Sequence, residues 1–383
     1  MDVTMFQMDF GESIMLNEGN GACLLVDCGS KSDIARCKTL FQHAEQEVMQ
    51  YSHKEAMISH FHDDHYKGFR NFNHVFDCVY IPHIFTVNQH PNMVDYLLMR
   101  DYLRKRTHGS GIKHITLLQL LEDIMRIGNR FKLLQRGDEF YFGENRAEVL
   151  WPCPKSINQE PQLAEAFEIL PKELRDLIYQ VSDTICAIVV KYADAPLGED
   201  GAYPMLAAIR TRLNILMQYN TPLGENDAKK ILDKIHWDFP KTINDHKYCL
   251  VFQIASAHDS HNYLFTGDIK IECLREIVQN EDGLQPIWTK FYAVKAPHHG
   301  TPGYYCSELF QSDTIKIEKV FISHGKGYGN YGKIASDYID DSIRKLYSLI
   351  CTNTVPAECP NPSKCPSKNC GIFLKPSPLS YLI

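Results

Sequence analysis

The run His60-Phe61-His62-Asp63-Asp64-His65 constrains this chain more than any other stretch. It packs three imidazoles and two carboxylates together, directly after Ala56-Met57-Ile58-Ser59, a short apolar run that reads as a buried strand. Side chains of an extended segment alternate faces, so His60, His62 and Asp64 are expected on one side and Asp63 on the other. A turn before Gly68 brings His65 round to the same cavity. Imidazole and carboxylate on a rigid strand end are the donor set that zinc and its neighbours prefer.

At 383 residues the chain is long enough for one large domain or two smaller ones. No apolar run approaches the length of a membrane span. The start, Met1-Asp2-Val3-Thr4-Met5-Phe6, alternates like a strand and lacks the basic and apolar regions of a signal peptide. With 13 cysteines and no export signal, a reducing, cytoplasmic setting with free thiols or metal sites is expected. The net charge of −7 gives no global pull on nucleic acid, so any such binding needs a local basic surface.

Short strands alternate with helical stretches on both sides of the histidine run. Strands are expected at Ala22–Val26, Ala56–Ser59, Val75–Ile81, Glu139–Phe142, Ala147–Trp151, Cys249–Ile254, Tyr263–Thr266, Lys290–Lys295, Val320–Ser323 and Gly371–Lys375. Helical periodicity marks 31–50, 92–130 and a stretch near Ser336–Leu349. The segment 152–244 is less regular, with helices at Leu163–Ile169, Glu173–Gln180, Met205–Tyr219 and Ala228–Trp237 and one strand at Cys186–Lys191. It reads as a mainly helical insertion within a single domain spanning 1–383. The sequence shows no internal repeat. The alternation argues for a layered α/β protein.

Three further motifs end apolar strands in polar groups. Leu24-Leu25-Val26-Asp27-Cys28-Gly29 and Phe265-Thr266-Gly267-Asp268 each deliver a carboxylate, and Ala296-Pro297-His298-His299-Gly300 delivers two imidazoles. One carboxylate reached by two metals can bridge them, and two metals about 3.5–4 Å apart can clamp a phosphoryl oxygen.

With these pieces the chain resembles the metallo-β-lactamase superfamily, and within it the group typified by the soluble domain of the competence protein ComEC. The matching residues are Phe10–Ile14, Leu25–Gly29, His60–His65, Leu264–Asp268, Ala296–Thr301, and Ser323-His324-Gly325 with Asn330-Tyr331-Gly332. The resemblance implies a four-layer αββα sandwich. It implies His60 and His62 as ligands of a first metal, Asp64, His65 and His299 as ligands of a second, Asp268 as the bridge, and Asp27 as the carboxylate that orients a ligand histidine. The remaining ligand of the first metal precedes the strand before Asp268, where His246 fits best and Asp183 almost as well. His298 is either a ligand in place of His299 or a group that assists the leaving oxygen, so catalysis would turn on Asp64 and His298.

The implied activity is metal-dependent hydrolysis by a metal-bound hydroxide, with two Zn²⁺ or alternatively Mn²⁺. The expected substrate is a phosphodiester, DNA or another nucleic acid, and a protein partner in a multi-subunit intracellular system is a further expectation. Two alternatives stay open: a hydrolase of a small ester, thioester or lactone, and a non-catalytic metal-binding subunit. Cys351, Cys359, Cys365 and Cys370, in and beside the Cys-rich loop 351–370, are candidates for a structural zinc site against free thiols. Arg104-Lys105-Arg106, near His108 and Lys113, either tracks phosphates at the mouth of the site or forms a solvated helix face. His43, His53, His74, His83, His90 and His324 have no motif support and read as surface or packing residues.

Overall fold

The computed structural model describes residues 1–107, 116–153, 161–196, 202–220, 223–238, 245–280, 283–325, 333–340, 346–352 and 380–383. Strands β1 (Asp2–Phe6), β2 (Ile14–Asn17), β3 (Ala22–Val26), β4 (His53–Met57), β5 (Cys78–Pro82) and β6 (Phe131–Leu134) form one sheet. Strands β7 (Glu139–Phe142), β8 (Asn145–Trp151), β9 (Val251–Ala255), β10 (Asn262–Phe265), β11 (Lys290–Lys295), β12 (Lys316–Ile322) and β13 (Ser348–Cys351) form the other. A last strand, β14 (Ser380–Leu382), joins the first sheet beside β1, giving the orders β14-β1-β2-β3-β4-β5-β6 and β13-β12-β11-β10-β9-β8-β7. β3 through β6 run parallel to one another, as do β10 through β13, and the remaining pairings are antiparallel.

Strand alternation decides the layering. Leu24, Val26, Met57 and Tyr80 of the first sheet share an apolar layer with Phe140, Phe252, Tyr263 and Phe265 of the second. The intervening residues Cys23, Leu25, Ala56 and Val79 face outward into a helical layer. Leu264, Val294, Val320 and Ile322 do the same on the far side. The chain is thus the four-layer αββα sandwich.

The first sheet's outer face is covered by α1 (Ile34–Val48), α3 (Met93–Arg106), α4 (Leu117–Ile127), α5 (Pro161–Glu168), α6 (Lys172–Tyr192), α7 (Ala202–Gln218) and α8 (Glu225–Asp238), all within one apolar cluster. A short α2 (Asp63–Tyr66) belongs to the same side. The second sheet carries α9 (Ile271–Gln279) and α10 (Ser307–Phe310).

Two expectations are overturned here. The β-branched run at Cys186–Lys191 is not a strand but the C-terminal part of α6. Its buried positions Ile178, Val181, Ser182, Ile185, Cys186 and Val189 follow a helical stripe, and packing of that stripe overrides local strand preference. The helix expected near Ser336–Leu349 is instead a single 3₁₀ turn at Ser336–Ile339 followed by β13, which pairs with β12. The strand expected at 371–375 lies outside the described residues.

Candidate metal centre

Every residue of the centre leaves the C-terminal end of a strand or the loop before one. Asp27 follows β3, His60 follows β4, Asp268 follows β10, His298 and His299 follow β11, and Ser323 follows β12. These strands lie in the parallel halves of their sheets, so their ends converge on one edge of the sandwich, where α/β proteins build sites. His246 enters from the loop before β9, in a 3₁₀ turn over Asp245–Tyr248.

The extended run after β4 stops at His62, which is the N-cap of α2. Helical geometry, not strand alternation, therefore buries Asp64 and His65 and leaves Asp63 exposed. Neighbouring loops stitch this turn down: Glu12 N donates to Asp64 O (2.9 Å), Cys28 N to His65 O (2.7 Å) and Gly29 N to Glu12 O (2.9 Å). A Cβ on Gly29 would lie 2.1 Å from the Asp64 carbonyl carbon, so only glycine permits this approach. His298 and His299 both adopt left-handed backbone, φ 47° and 55°, which directs consecutive imidazoles to different parts of the cavity.

Asp27 fixes the tautomers of two histidines. Its carboxylate accepts from Ser59 N (2.7 Å), Ser59 Oγ (2.6 Å) and His65 Nδ1 (2.7 Å). Neutral His65 therefore carries its proton on Nδ1, leaving a lone pair on Nε2 for a second proton or a metal ion. Ser59, having given its proton to Asp27, accepts from His60 Nδ1 at 3.1 Å, so His60 Nε2 is also a lone pair. His299 Nδ1 faces the Ser323 carbonyl (3.1 Å), which can only accept, so His299 Nε2 is a third. His65 Nε2 and His299 Nε2 lie 3.2 Å apart, two lone pairs face to face. Such an arrangement calls for a cation between them, a proton or a metal ion.

The convergence centres on Asp268. Its Oδ2 lies 3.1 Å from His65 Nε2, 3.5 Å from His299 Nε2, 3.9 Å from both His246 Nε2 and His298 Nε2, and 4.0 Å from His60 Nε2. His62 Nδ1 lies 3.1 Å from both His60 Nε2 and His246 Nε2. Three sets of donors close enough to hold an ion result: His60/His62/His246, His246/Asp268/His298, and Glu12/His65/Asp268/His299. Asp64 borders the last set, its Oδ2 3.5 Å from His299 Nε2, while its buried Oδ1 has no hydrogen-bond partner among the described residues. Orphaned carboxylate oxygen and opposed imidazole lone pairs fit a divalent cation.

The electrostatics follow from this crowding. Burial, reinforced by the neighbouring imidazoles, holds His60 and His246 well below the usual histidine range, and burial takes His298 down to about 3. Burial would also lower His65, but Asp268 and Asp27 carry it well above that range. Burial alone would raise Asp64 and Asp268. His299 and Lys31 hold Asp64 well below the carboxylate range, and His65 and His299 do the same for Asp268.

Several groups here escaped sequence reasoning. Lys295, fully buried, donates to Gly267 O (2.8 Å) and pairs with Glu12 Oε2 (2.6 Å) and Asp268 Oδ1 (3.4 Å). Its ammonium already supplies a cation between Glu12 and Asp268, and these two carboxylates carry it above the ordinary lysine value against the pull of burial. Lys31 Nζ sits 2.6 Å from Asp64 Oδ2. The Tyr304 hydroxyl lies 3.1 Å from His246 Nδ1 and its ring stacks on His298 at 4.0 Å. A lysine inside the apolar strand Lys290–Lys295 was the one local signal; the others meet only through tertiary contacts.

Asp183, the alternative to His246, lies on α6, where it accepts from Asn88 N (2.7 Å) and meets His90 Nε2 (3.1 Å). His90 also meets Asp95 Oδ2 at 2.8 Å. His324 is wholly buried behind His299, its Nδ1 3.0 Å from the His299 carbonyl. Lys105 donates to Met217 O and Arg106 to Tyr219 O, at the C-terminal end of α7, where cations complement the helix dipole. Cys351 is buried at the end of β13, whereas Cys359, Cys365 and Cys370, like His108 and Lys113, lie outside the described residues. No disulfide joins the described cysteines. Among the described residues, no helix is long and apolar enough to cross a membrane.

No protein-family model matches the sequence, and no curated protein matches it. Solved structures similar to the chain include a point mutant of the CmlA β-hydroxylase, at 10% identity over 91% of this chain and 52% of that one, TM-score 0.37. Another is a protein of unknown function from Enterococcus faecalis, at 10% identity over 77% of this chain and 49% of that one, TM-score 0.29. A third is the Rm3 metallo-β-lactamase, at 12% identity over 56% of this chain and 90% of that one, TM-score 0.23. The chain spans about half the length of the first two. Overlaps this loose decide nothing about chemistry, which has to come from the side chains.

Proposed function

We propose that the chain is a metal-dependent hydrolase of phosphodiesters, with nucleic acid as the substrate class. The observation that carries the reading is the single Asp268 oxygen ringed by five imidazoles at 4.0 Å or less. Such an oxygen suits a bridge between two ions, and a paired centre suits phosphoryl transfer. In this reading His60, His62 and His246 hold one ion, Asp64, His65 and His299 the other, and Asp268 is shared. The nitrogen-rich donor set favours zinc, with manganese the alternative. Ions held there supply Lewis acidity, which lowers the proton affinity of water and offsets charge on phosphoryl oxygens.

The chain's own residues do the rest. Asp27 keeps His60 and His65 in the tautomer that presents lone pairs. Thr301 Oγ1 donates to the His298 carbonyl (2.9 Å) and so accepts from His298 Nδ1. His298 Nε2 then faces Asp268 and His246 as an acceptor, and with burial holding its pKa at about 3 this neutral imidazole is suited to accepting a hydrogen bond rather than to giving up a proton.

The deciding experiment measures metal content and cleavage of bis(p-nitrophenyl) phosphate, single- and double-stranded DNA and RNA, with Zn²⁺ and with Mn²⁺. Wild type and the double variant Asp64→Ala/His65→Ala are compared. The reading requires metal-dependent diester cleavage that the variant loses. Turnover of a thioester or lactone with no diester cleavage would replace it by carbonyl hydrolysis.

A further inference from the structure

Among the described residues, two cations pair with carboxylates of the centre. Lys295 is wholly buried and fully engaged by Glu12, Asp268 and the Gly267 carbonyl. Lys31 differs: its side chain is 41% exposed, while the Asp64 side chain it pairs with is 3% exposed. Its ammonium therefore stands at the rim of the cavity with one side on the centre and one side on solvent.

The Lys31 backbone is fixed. Lys31 N donates to Phe10 O (2.8 Å), and the preceding Ser30 Oγ donates to Met8 O (2.7 Å). The ammonium also lies 5.2 Å from the centroid of the Phe10 ring, which packs against His299 at 4.7 Å. The Asp64 oxygen that Lys31 holds is the same Oδ2 that faces His299 Nε2 at 3.5 Å. An anion delivered to the Asp64/His65/His299 side thus arrives beside this ammonium. A neutral ester arriving there gains nothing from it.

We propose that Lys31 is the specificity-determining residue for an anionic substrate: its ammonium receives a non-bridging oxygen of the phosphate. The proposal rests on reading the centre as a phosphodiesterase. A divalent ion held at Asp64 would take over much of that carboxylate's charge and free the half-exposed ammonium for the substrate, with the Lys31 backbone still fixed to Phe10 O.

The test compares wild type, Lys31→Met and Lys31→Arg as the zinc-loaded full chain. It reads metal content, the affinity for inorganic phosphate by calorimetry, and KM and kcat for bis(p-nitrophenyl) phosphate and for neutral p-nitrophenyl acetate. Lys31→Met is expected to keep its metal, to lose about tenfold in phosphate affinity and to raise KM for the diester about tenfold, with KM for the acetate unchanged. Lys31→Arg is expected to restore most of both. Unchanged phosphate affinity in Lys31→Met overturns the proposal. So does loss of metal from that variant, which would make Lys31 a support for Asp64 alone. If wild type cleaves no diester, the phosphodiesterase reading fails by itself, and the calorimetry still decides whether Lys31 recognises phosphate.

Discussion

Replacing Asp27 by Asn changes one atom of a fully buried side chain and should disturb both halves of the centre. The backbone there is left-handed, φ 59°, a conformation asparagine tolerates as well as aspartate, so the change tests side-chain chemistry alone. Asparagine can keep its oxygen on Ser59 N. Its amide nitrogen then faces Ser59 Oγ and His65 Nδ1, which now lie 2.6 and 2.7 Å from a carboxylate oxygen. Both must turn from donor to acceptor. His65 moves its proton to Nε2, into the centre. Ser59, now accepting from the amide, gives its proton to His60 Nδ1, and the His60 proton also moves to Nε2.

Two of the proposed ligands, His60 and His65, thus lose their lone pairs together. Loss of a partner behind a ligand weakens metal binding about 10- to 100-fold, and here two are lost. In the metal-free protein three charge-assisted hydrogen bonds become neutral ones, a loss of about 1–3 kcal/mol after relaxation. Zinc affinity by chelator competition and urea unfolding of the metal-free protein read the two effects separately. An Asp27→Asn protein that binds zinc as tightly as wild type would refute the tautomer argument.

Tyr304→Phe removes the hydroxyl 3.1 Å from His246 Nδ1 but keeps the ring on His298, so zinc affinity should fall about tenfold, by the same chelator competition, with little change in thermal stability. Gly29→Ala forces the Asp64 segment to move, since its Cβ would meet the Asp64 carbonyl carbon at 2.1 Å, and a loss of about 2 kcal/mol or more is expected in urea melts. His90 lies between Asp95 and Asp183 and stacks on Tyr179 at 4.4 Å. Burial would lower its pKa, but the hydrogen bonds to Asp95 and Asp183 raise it above the usual histidine value. A raised folded-state pKa stabilises fully below the ordinary value of about 6.5 and less as pH rises through the raised one, so His90→Gln should flatten the fall in urea midpoint between pH 6 and pH 9.

The parts of the centre legible in the sequence are those where a motif is local. The strand ends at Asp27, His60–His65, Asp268 and His298-His299 each announce themselves as an apolar run closing in ligand-type residues. What the sequence hid is what meets only across the fold. Lys295 and Glu12 are far apart in the chain and pair under Asp268, and Asp183 looked like a ligand because its flank reads as a strand. The backbone hides a further regularity. In each sheet the pairings run antiparallel three times and then parallel three times along the order β14 to β6 and β7 to β13. The fourth strand of each, β3 and β10, ends in a buried aspartate. The fifth, β4 and β11, is followed by histidines, His60, His62 and His65 on one side and His298 and His299 on the other. The two halves share no visible sequence repeat because their outer faces bury different layers, many helices on one and two on the other. Only the strand ends facing the common edge have the same task, and there the residue types coincide. The two equivalent edges meet at Asp268, whose Oδ2 lies within reach of imidazoles from both, and that convergence is why the proposed shared ligand belongs there.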